Sequence, residues 1–320
     1  MRKNKLIFVG PKQATIENNT FFDGSITLFG NSKNNNISYS EQLSFEYWNP
    51  DNNKFEAKIY SNQLNKITEQ IDVMAHNPKL VSQLCDIPQN VNLICKNTDD
   101  VLNLLDDKLQ TRKLFENVLP MLDYYNFLGR DINIDIFNKI GKKLVIQHPK
   151  GSGGAKTFLC DENNFNEIKK LIINSETYTI SKYVEQNIPY NIHCIIGKQN
   201  YEIFAPSIQD LEITDKIEYI GSIYDIQMQQ NIKLKMIESC SKICEKLKEL
   251  GYLGVLGIDF ICFDNELYFI EINPRFQGST RQLDAMLKES GLPSIFEYNY
   301  TAFYGGELIS SKNMQKSLYK

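Results

Sequence analysis

The segment GIDFICFDNELYFIEINPRFQ, residues 257–277, constrains the chain more than any other, because its polar and apolar residues alternate with a period of two. Residues two apart on a strand share a face. Glu271 and Asn273 therefore point one way, while Ile270 and Ile272 face a core on the other. If Asp264, Asn265 and Glu266 make a three-residue hairpin loop, Phe263 pairs with Leu267 and, counting back, Asp259 lies opposite Glu271. A two-residue loop would slip the register by one and turn Asp259 away. With the longer loop, three oxygen-bearing side chains converge and no cation separates the two carboxylates. A bound divalent metal offsets that repulsion, and hard oxygen ligands favour Mg²⁺ or Mn²⁺. The two acids alone would equally suit a plain hairpin with a solvated face. Asn273-Pro274-Arg275 decides against that, adding a third oxygen, a conformational stop and a fixed guanidinium at one sheet edge, as phosphate chemistry needs.

The rest of the chain supplies a frame for that hairpin. A length of 320 residues with 42% hydrophobic content supports a large core divided into two or three packed subdomains. A formal charge of -4 leaves no basic field for tracking phosphates, so nucleic-acid binding has no compositional support and an anion must be met locally. The opening MRKNKLIFVG has too short an apolar run for a secretory signal and reads as a first strand. No apolar stretch reaches the roughly 20 residues of a membrane span, which predicts a soluble, cytoplasmic protein with no membrane partner. Seven cysteines form no CxxC pair and are expected as free buried thiols, Cys240 and Cys244 lying one turn apart in a helix core.

Short apolar segments alternate with Asn-rich polar stretches over residues 1–100, which predicts an α/β domain. Helical spacing over residues 99–122 opens a second domain. Strands are expected at 144–147, 178–184, 191–197 and 202–205, and a helix at 164–174, giving a small α+β lobe. A long amphipathic helix at 232–250 then precedes strands at 255–263 and 267–273. The polar segment 205–210 is either a pocket wall or a plain loop. In LVIQHPKGSGGAKT, residues 144–157, a strand runs into Gly151-Ser152-Gly153-Gly154, whose backbone N–H groups can turn toward phosphate oxygens. Neither GxxxxGK[ST] nor GxGxxG is present, so this is a flexible turn or a loop laid over phosphates between two strands. His76, His148 and His193 are expected to be structural, with His148 beside the loop a candidate phosphate contact.

The order of a lysine in a helix (Asp107-Lys108), a strand with a Gly-rich loop, an S-K-Y-V-E segment (Ser181 to Glu185) and D-F...E-I-N-P-R resembles the ATP-grasp superfamily of carboxylate-amine and carboxylate-thiol ligases, including biotin carboxylase and D-alanine-D-alanine ligase. The resemblance runs from about Lys108 to Tyr304. It implies an α/β (α+β) ATP-grasp fold: an N-terminal α/β domain at 1–100, an ATP-grasp domain at 101–320 with a lid lobe at about 141–185, and a C-terminal antiparallel-sheet lobe. It implies ATP and Mg²⁺ (or Mn²⁺), with Asp259, Glu271 and Asn273 as metal ligands and Arg275 as the cation beside the transferred phosphoryl group. Lys108, Gln147, Gly151, Ser152, Gly153 and Gly154 would meet the phosphates. Lys182 and Tyr183 would read the adenine edge, Val184 would pack on it and Glu185 would reach the ribose. Gln277, Ser279, Thr280 and Arg281 are candidates for the carboxylate substrate, Ser279 and Thr280 serving equally as helix caps.

Three departures bear on the nucleotide. Gln147 stands where the family usually has a lysine, Ser181 where an acid commonly accepts from the adenine amino group, and Pro189 where a glutamate often meets the ribose. The implied activity is phosphorylation of a carboxylate to an acyl phosphate and its transfer to an amine or thiol, on an amino acid, a peptide or a carrier protein, by a chain that is a candidate homodimer. Two other functions stay open: a nucleotide-binding regulatory or partner-binding protein without turnover, suggested by Gln147 and Ser181, and a bicarbonate-activating carboxylase.

Overall fold

The computed structural model describes residues 3–29, 37–40, 53–82, 87–151, 154 and 156–310. The first strands are β1 (Lys5–Lys12), β2 (Gly24–Phe29) and β3 (Ile37–Ser40), followed by α1 (Asn53–Leu64), β4 (Ile71–Ala75), α2 (Pro78–Ser82) and β5 (Val91–Ile94). They form a parallel sheet in the order β3-β2-β1-β4-β5. Leu6, Ile7, Phe8 and Val9 of β1 are all fully buried, as a parallel strand covered on both faces requires. Alternation divides them between two cores. Ile7 and Val9 pack with Tyr60 and Leu64 of α1, whereas Leu6 and Phe8 pack with Phe296 and Leu283 from the far end of the chain.

After α3 (Asp99–Leu105) and α4 (Lys108–Phe115), a four-stranded antiparallel sheet in the order β6-β9-β7-β8 is built from β6 (Tyr124–Leu128), β7 (Lys143–Gln147), β8 (Thr157–Asp161) and β9 (Thr177–Lys182). Two short helices, α5 (Ile136–Ile140) and α6 (Phe165–Leu171), complete this lobe, which has its own core around Ile146, Phe158, Tyr178 and Ile180. A larger sheet in the order β13-β12-β10-β14-β15 comprises β10 (Ile188–Ile196), with β11 (Tyr201–Ile203) also pairing to it, β12 (Ser207–Ile213), β13 (Ile217–Ile223), β14 (Gly254–Phe263) and β15 (Glu266–Asn273). Helix α7 (Gln230–Glu249) buries Met236, Cys240, Ile243, Cys244 and Leu247 against it, at the three- and four-residue spacing of one helix face. Helices α8 (Thr280–Glu289) and α9 (Ile295–Tyr304) cover the N-terminal sheet. The cysteines among the described residues are free and buried. No helix of the described residues is long and apolar enough to cross a membrane.

The β14–β15 hairpin reaches the expected pairing by a different route. Its loop has two residues, Asp264 and Asn265, with φ of 51° and 59°, the left-handed pair of a tight hairpin turn, and Phe263 pairs with Glu266 rather than Leu267. The slip this introduces is cancelled farther along. Phe260 pairs with Phe269, Asp259 with Glu271, and Ile270 is the extra residue of a β-bulge. The bulge also changes which residues face inward. Leu267, Phe269 and Ile272 are buried in the core, whereas Ile270, expected there too, lines a cavity instead. In the two antiparallel sheets, strands β6, β8, β12 and β13 lie outside the strands expected from the sequence. The polar segment at 205–210 runs into β12, and Gln209 and Asp210 wall the same cavity.

Candidate functional site

Four strands set one row of side chains beneath a cavity of about 490 Å³ between the two antiparallel sheets. Across β12, β10, β14 and β15, Ser207 pairs with Asn191, Asn191 with Asp259, and Asp259 with Glu271. The next row, Ile192, Ile258 and Ile272, points into the core. Asn191 Nδ2 donates to Asp259 Oδ1 at 2.6 Å, and Gln209 Nε2 approaches the same oxygen at 3.3 Å. Asn273 Nδ2 donates to Asp259 Oδ2 at 3.1 Å and to Glu271 Oε1 at 3.4 Å, while its Oδ1 accepts from Arg275 at 3.0 Å. Burial, then the neighbouring Glu271 charge, pushes the Asp259 carboxyl upward, against the pull of Asn191, Arg275 and Asn273.

Asp259, Glu271 and Asn273 fit a hard divalent cation. Two carboxylates stand side by side, one of them almost fully buried, and the electrostatic cost is visible in the upward push on Asp259. The Asn273 amide now lends each carboxylate an N–H. Holding a cation there would turn Oδ1 inward and give Arg275 a different acceptor.

Helix α4 supplies cations from above. Asp107 caps it, accepting from Leu109 and Gln110, and the Lys108 N–H donates to Pro149 O at 2.9 Å. Lys108 Nζ lies 3.3 Å from Glu271 Oε2 and donates to Gly151 O at 3.0 Å, tying the glycine loop to the hairpin. One turn later Arg112 donates through Nη2 to Gln147 Oε1 at 3.1 Å, and Gln147 Nε2 points to Glu271 Oε2 at 3.3 Å. Gly154 has φ of +86°, and a Cβ there would stand 1.9 Å from Ile217 O, so the loop end rests directly on the backbone of β13. Ser152 and Gly153 lie outside the described residues.

At the other end of the cavity Ser181, Lys182, Tyr183, Val184 and Pro189 line the wall. The Tyr183 N–H is already spent on Lys143 O at 2.8 Å. Glu185 is exposed and not part of the wall. On the floor beyond Arg275, Gln277 lies over Gly257, where a Cβ would come within 1.5 Å of its Nε2. Gln277 Oε1 accepts from Asn191 at 2.9 Å, and its buried Nε2 has no partner among the described residues. Ser279 donates to Asn191 Oδ1 at 3.2 Å. Thr280 is buried behind this floor, accepting from the Gln277 N–H at 2.8 Å, and Arg281 pairs with Glu17 away from the cavity.

Arg275 also faces the N-terminal sheet. Phe276 N–H donates to His76 O at 3.1 Å, and the Arg275 charge is felt by Glu56 and His76. Burial, reinforced by Arg275 and Lys12, pulls the His76 imidazole down to about 3, so it is neutral. His148 meets the backbone of Lys150 and the Glu176 carboxylate rather than the cavity, and His193 is buried beside Thr280. Arg112, Asn191 and Tyr219 line the cavity without having been singled out by the sequence, whereas Gln209 falls in the 205–210 segment offered as a pocket wall. Of those three, Arg112 carried a signal, its i, i+4 spacing from Lys108 on one helix face.

Residues 105–279, more than half of the chain, match the ATP-grasp domain. Among curated proteins, the carbamoyl phosphate synthase large chain of Clostridium beijerinckii is 24% identical over 280 residues, covering 72% of this chain and 26% of that protein. The chain thus spans about a quarter of that relative's length. Biotin carboxylase from Campylobacter jejuni superposes with a TM-score of 0.71 at 15% identity, over 97% of this chain and 73% of that one. N5-carboxyaminoimidazole synthetase from Staphylococcus aureus, solved with ADP, superposes with a TM-score of 0.63 at 16% identity, over 97% of this chain and 80% of that one.

Proposed function

The chain belongs to the ATP-grasp family, and from that premise we propose that it is an ATP-dependent ligase that phosphorylates a small carboxylate and joins it to an amine. The observation that carries the proposal is the row of Asn191, Asp259 and Glu271 under a cavity roofed by cations and a glycine loop. Phosphoryl transfer is mostly positioning and charge neutralisation, which needs these groups and no nucleophilic side chain.

In this scheme Ser181 to Val184 hold the adenine, with the backbone of Lys182 taking the reading role that the spent Tyr183 N–H cannot. Lys108 exchanges its contacts with Glu271 and Gly151 for phosphate oxygens. Asp259, Glu271 and Asn273 would hold the divalent cation, which would supply neutralisation of phosphate charge. Arg275 lies beside the transferred group. The unpartnered Gln277 Nε2 donates to an oxygen of the substrate carboxylate, and Ser279 lines its approach. A carboxylate oxygen bonds to the terminal phosphorus as the bridging P–O bond to ADP breaks, and the amine nitrogen then bonds to the acyl carbon as phosphate leaves. Gly154 seated on β13 keeps water from that acyl phosphate.

Phosphate release from MgATP, screened over pairs of small carboxylic or amino acids with amine acceptors, tests this. Release that requires both members of a pair is the expected result. Bicarbonate-dependent release without an amine would favour carboxylation instead, and a chain whose melting temperature MgADP does not raise has no nucleotide site at all.

A further inference from the structure

Gln147 ends β7 as a neutral group where the resemblance called for a lysine, and the side chain that fills that role by position is Arg112. We propose that Arg112 supplies the charge that Gln147 lacks, acting as a phosphate-facing cation fixed in place by the Gln147 amide. The inference rests on the nucleotide-binding role of the cavity proposed above.

Arg112 is 7% exposed and lines the cavity. Its partners are all neutral: Gln147 Oε1 at 3.1 Å, Ile270 O at 3.3 Å and the Tyr124 ring at 5.5 Å. No carboxylate among the described residues pairs with it directly. A guanidinium has five N–H donors and is costly to bury without a counter-charge, so bracing α4 against β15 would be served as well by an apolar side chain. Burial pulls its affinity for a proton down, and the Glu271 charge resists this. A buried cation held only by neutral groups at a cavity wall is what an incoming polyanion would complete.

The local geometry explains why the cation sits on the helix and not on the strand. Lys108 and Arg112 are one turn apart on the same face of α4, with their Cβ atoms about 6 Å apart, so both positive groups reach the same cavity. Arg112 occupies Gln147 Oε1, so the amide can present only its N–H groups toward Glu271 and anything bound beside it. A lysine at 147 would face the guanidinium at contact distance. The two cations are therefore alternatives, and this chain carries the helical one.

The exchange can be tested by titrating wild type, Arg112→Gln, Gln147→Lys and the double variant with MgADP and with adenosine in a calorimeter. Expected is a loss of MgADP affinity of about tenfold or more in Arg112→Gln, little change for adenosine, and recovery to within about threefold of wild type in the double variant. Gln147→Lys alone should bind no more tightly than wild type, because it crowds two cations. Arg112→Gln that binds MgADP like wild type, or a folded double variant that stays as weak as Arg112→Gln, overturns the proposal. If Arg112→Gln does not fold, Arg112→Lys takes its place. Retained charge should keep its affinity within about tenfold of wild type, and complete loss in a folded Arg112→Lys would exclude charge as the reason. Wild type that binds no MgADP would instead overturn the nucleotide role of the cavity, and this inference with it.

Discussion

At the scale of single residues, Asp259 and Glu271 sit on adjacent strands, and removing one charge has different consequences for folding and for turnover. Burial and then the Glu271 charge push Asp259 upward; Glu271→Gln relieves the second of these and leaves Gln147 and Lys108 with an amide oxygen to contact. It also removes half the anionic charge available to a divalent cation. The variant should remain folded in metal-free buffer, relief of the repulsion offsetting part of the loss of the Lys108 ion pair, and lose at least about 100-fold in Mg-dependent turnover; a variant that retained normal turnover would take Glu271 out of the metal site. Asp259 makes a second prediction through pH. Its carboxyl binds a proton more tightly folded than unfolded, so as pH rises out of the ordinary carboxylate range the unfolded chain releases that proton first, and stability falls. Asp259→Asn should therefore raise the melting temperature of metal-free protein at pH 8 and leave it nearly unchanged near pH 4. Equal effects at both values would show that Asp259 does not carry the buried charge. Saturating Mg²⁺ should narrow the pH 8 difference, because the cation competes with the proton.

At the scale of elements, Gly154 joins the glycine loop to β13, and the contact tolerates no side chain. Gly154→Ala would place a methyl against Ile217 O at a φ that L-residues rarely adopt. The loop end lies at the surface of the lobe rather than in its core, so the expected result is a weakening of MgADP binding by roughly tenfold with a melting temperature within a few degrees of wild type. A variant with wild-type affinity would show that this contact does not shape the nucleotide cavity. The hairpin shows how far elements of this kind can be read from sequence. Alternation in ELYFIEIN identified a strand and the face shared by Glu271 and Asn273, because side-chain direction is a local property of extended backbone. It could not identify the bulge. Ile270 is apolar whether it points to the core or to the cavity, and Asp264-Asn265 allows a two-residue turn as readily as a longer one. Two departures in register then cancelled, and the pairing of Asp259 with Glu271 emerged by a path that the pattern did not contain. Asn191 was illegible for a different reason: it joins the site only through strand neighbours distant in sequence, and Gln209, although in the segment offered as a pocket wall, reaches Asp259 in the same way. Arg112 lay one turn from Lys108 in plain view, but a charged helical residue ordinarily faces solvent, and only its burial shows otherwise.

At the scale of the whole molecule, the four-stranded lobe has a core of its own, separate from the cores that join the N-terminal sheet, α8, α9 and the larger sheet. The polar links across the cavity run from Lys108 to Gly151, from Arg112 to Gln147 and from Gln147 to Glu271, and Leu159 N–H meets Asp215 O at 3.0 Å beside β13. Such links are individually modest, whereas a separately packed lobe resists deformation internally, so the lobe is expected to open as a body. A nucleotide held between the sheets would bind only the closed arrangement and stabilise it by RT ln(1 + [L]/Kd), about 2.7 kcal/mol at one hundred times Kd. Amides that exchange through lobe opening should then slow by roughly 100-fold with saturating MgADP. Hydrogen exchange followed by mass spectrometry checks this in β7, β8 and the loop between them, with β1 and β4 of the N-terminal sheet as the internal reference. Uniform slowing across all of these strands would mean that nucleotide stabilises the fold globally without a separate opening of the lobe, and unchanged exchange in β7 and β8 would place the bound nucleotide elsewhere.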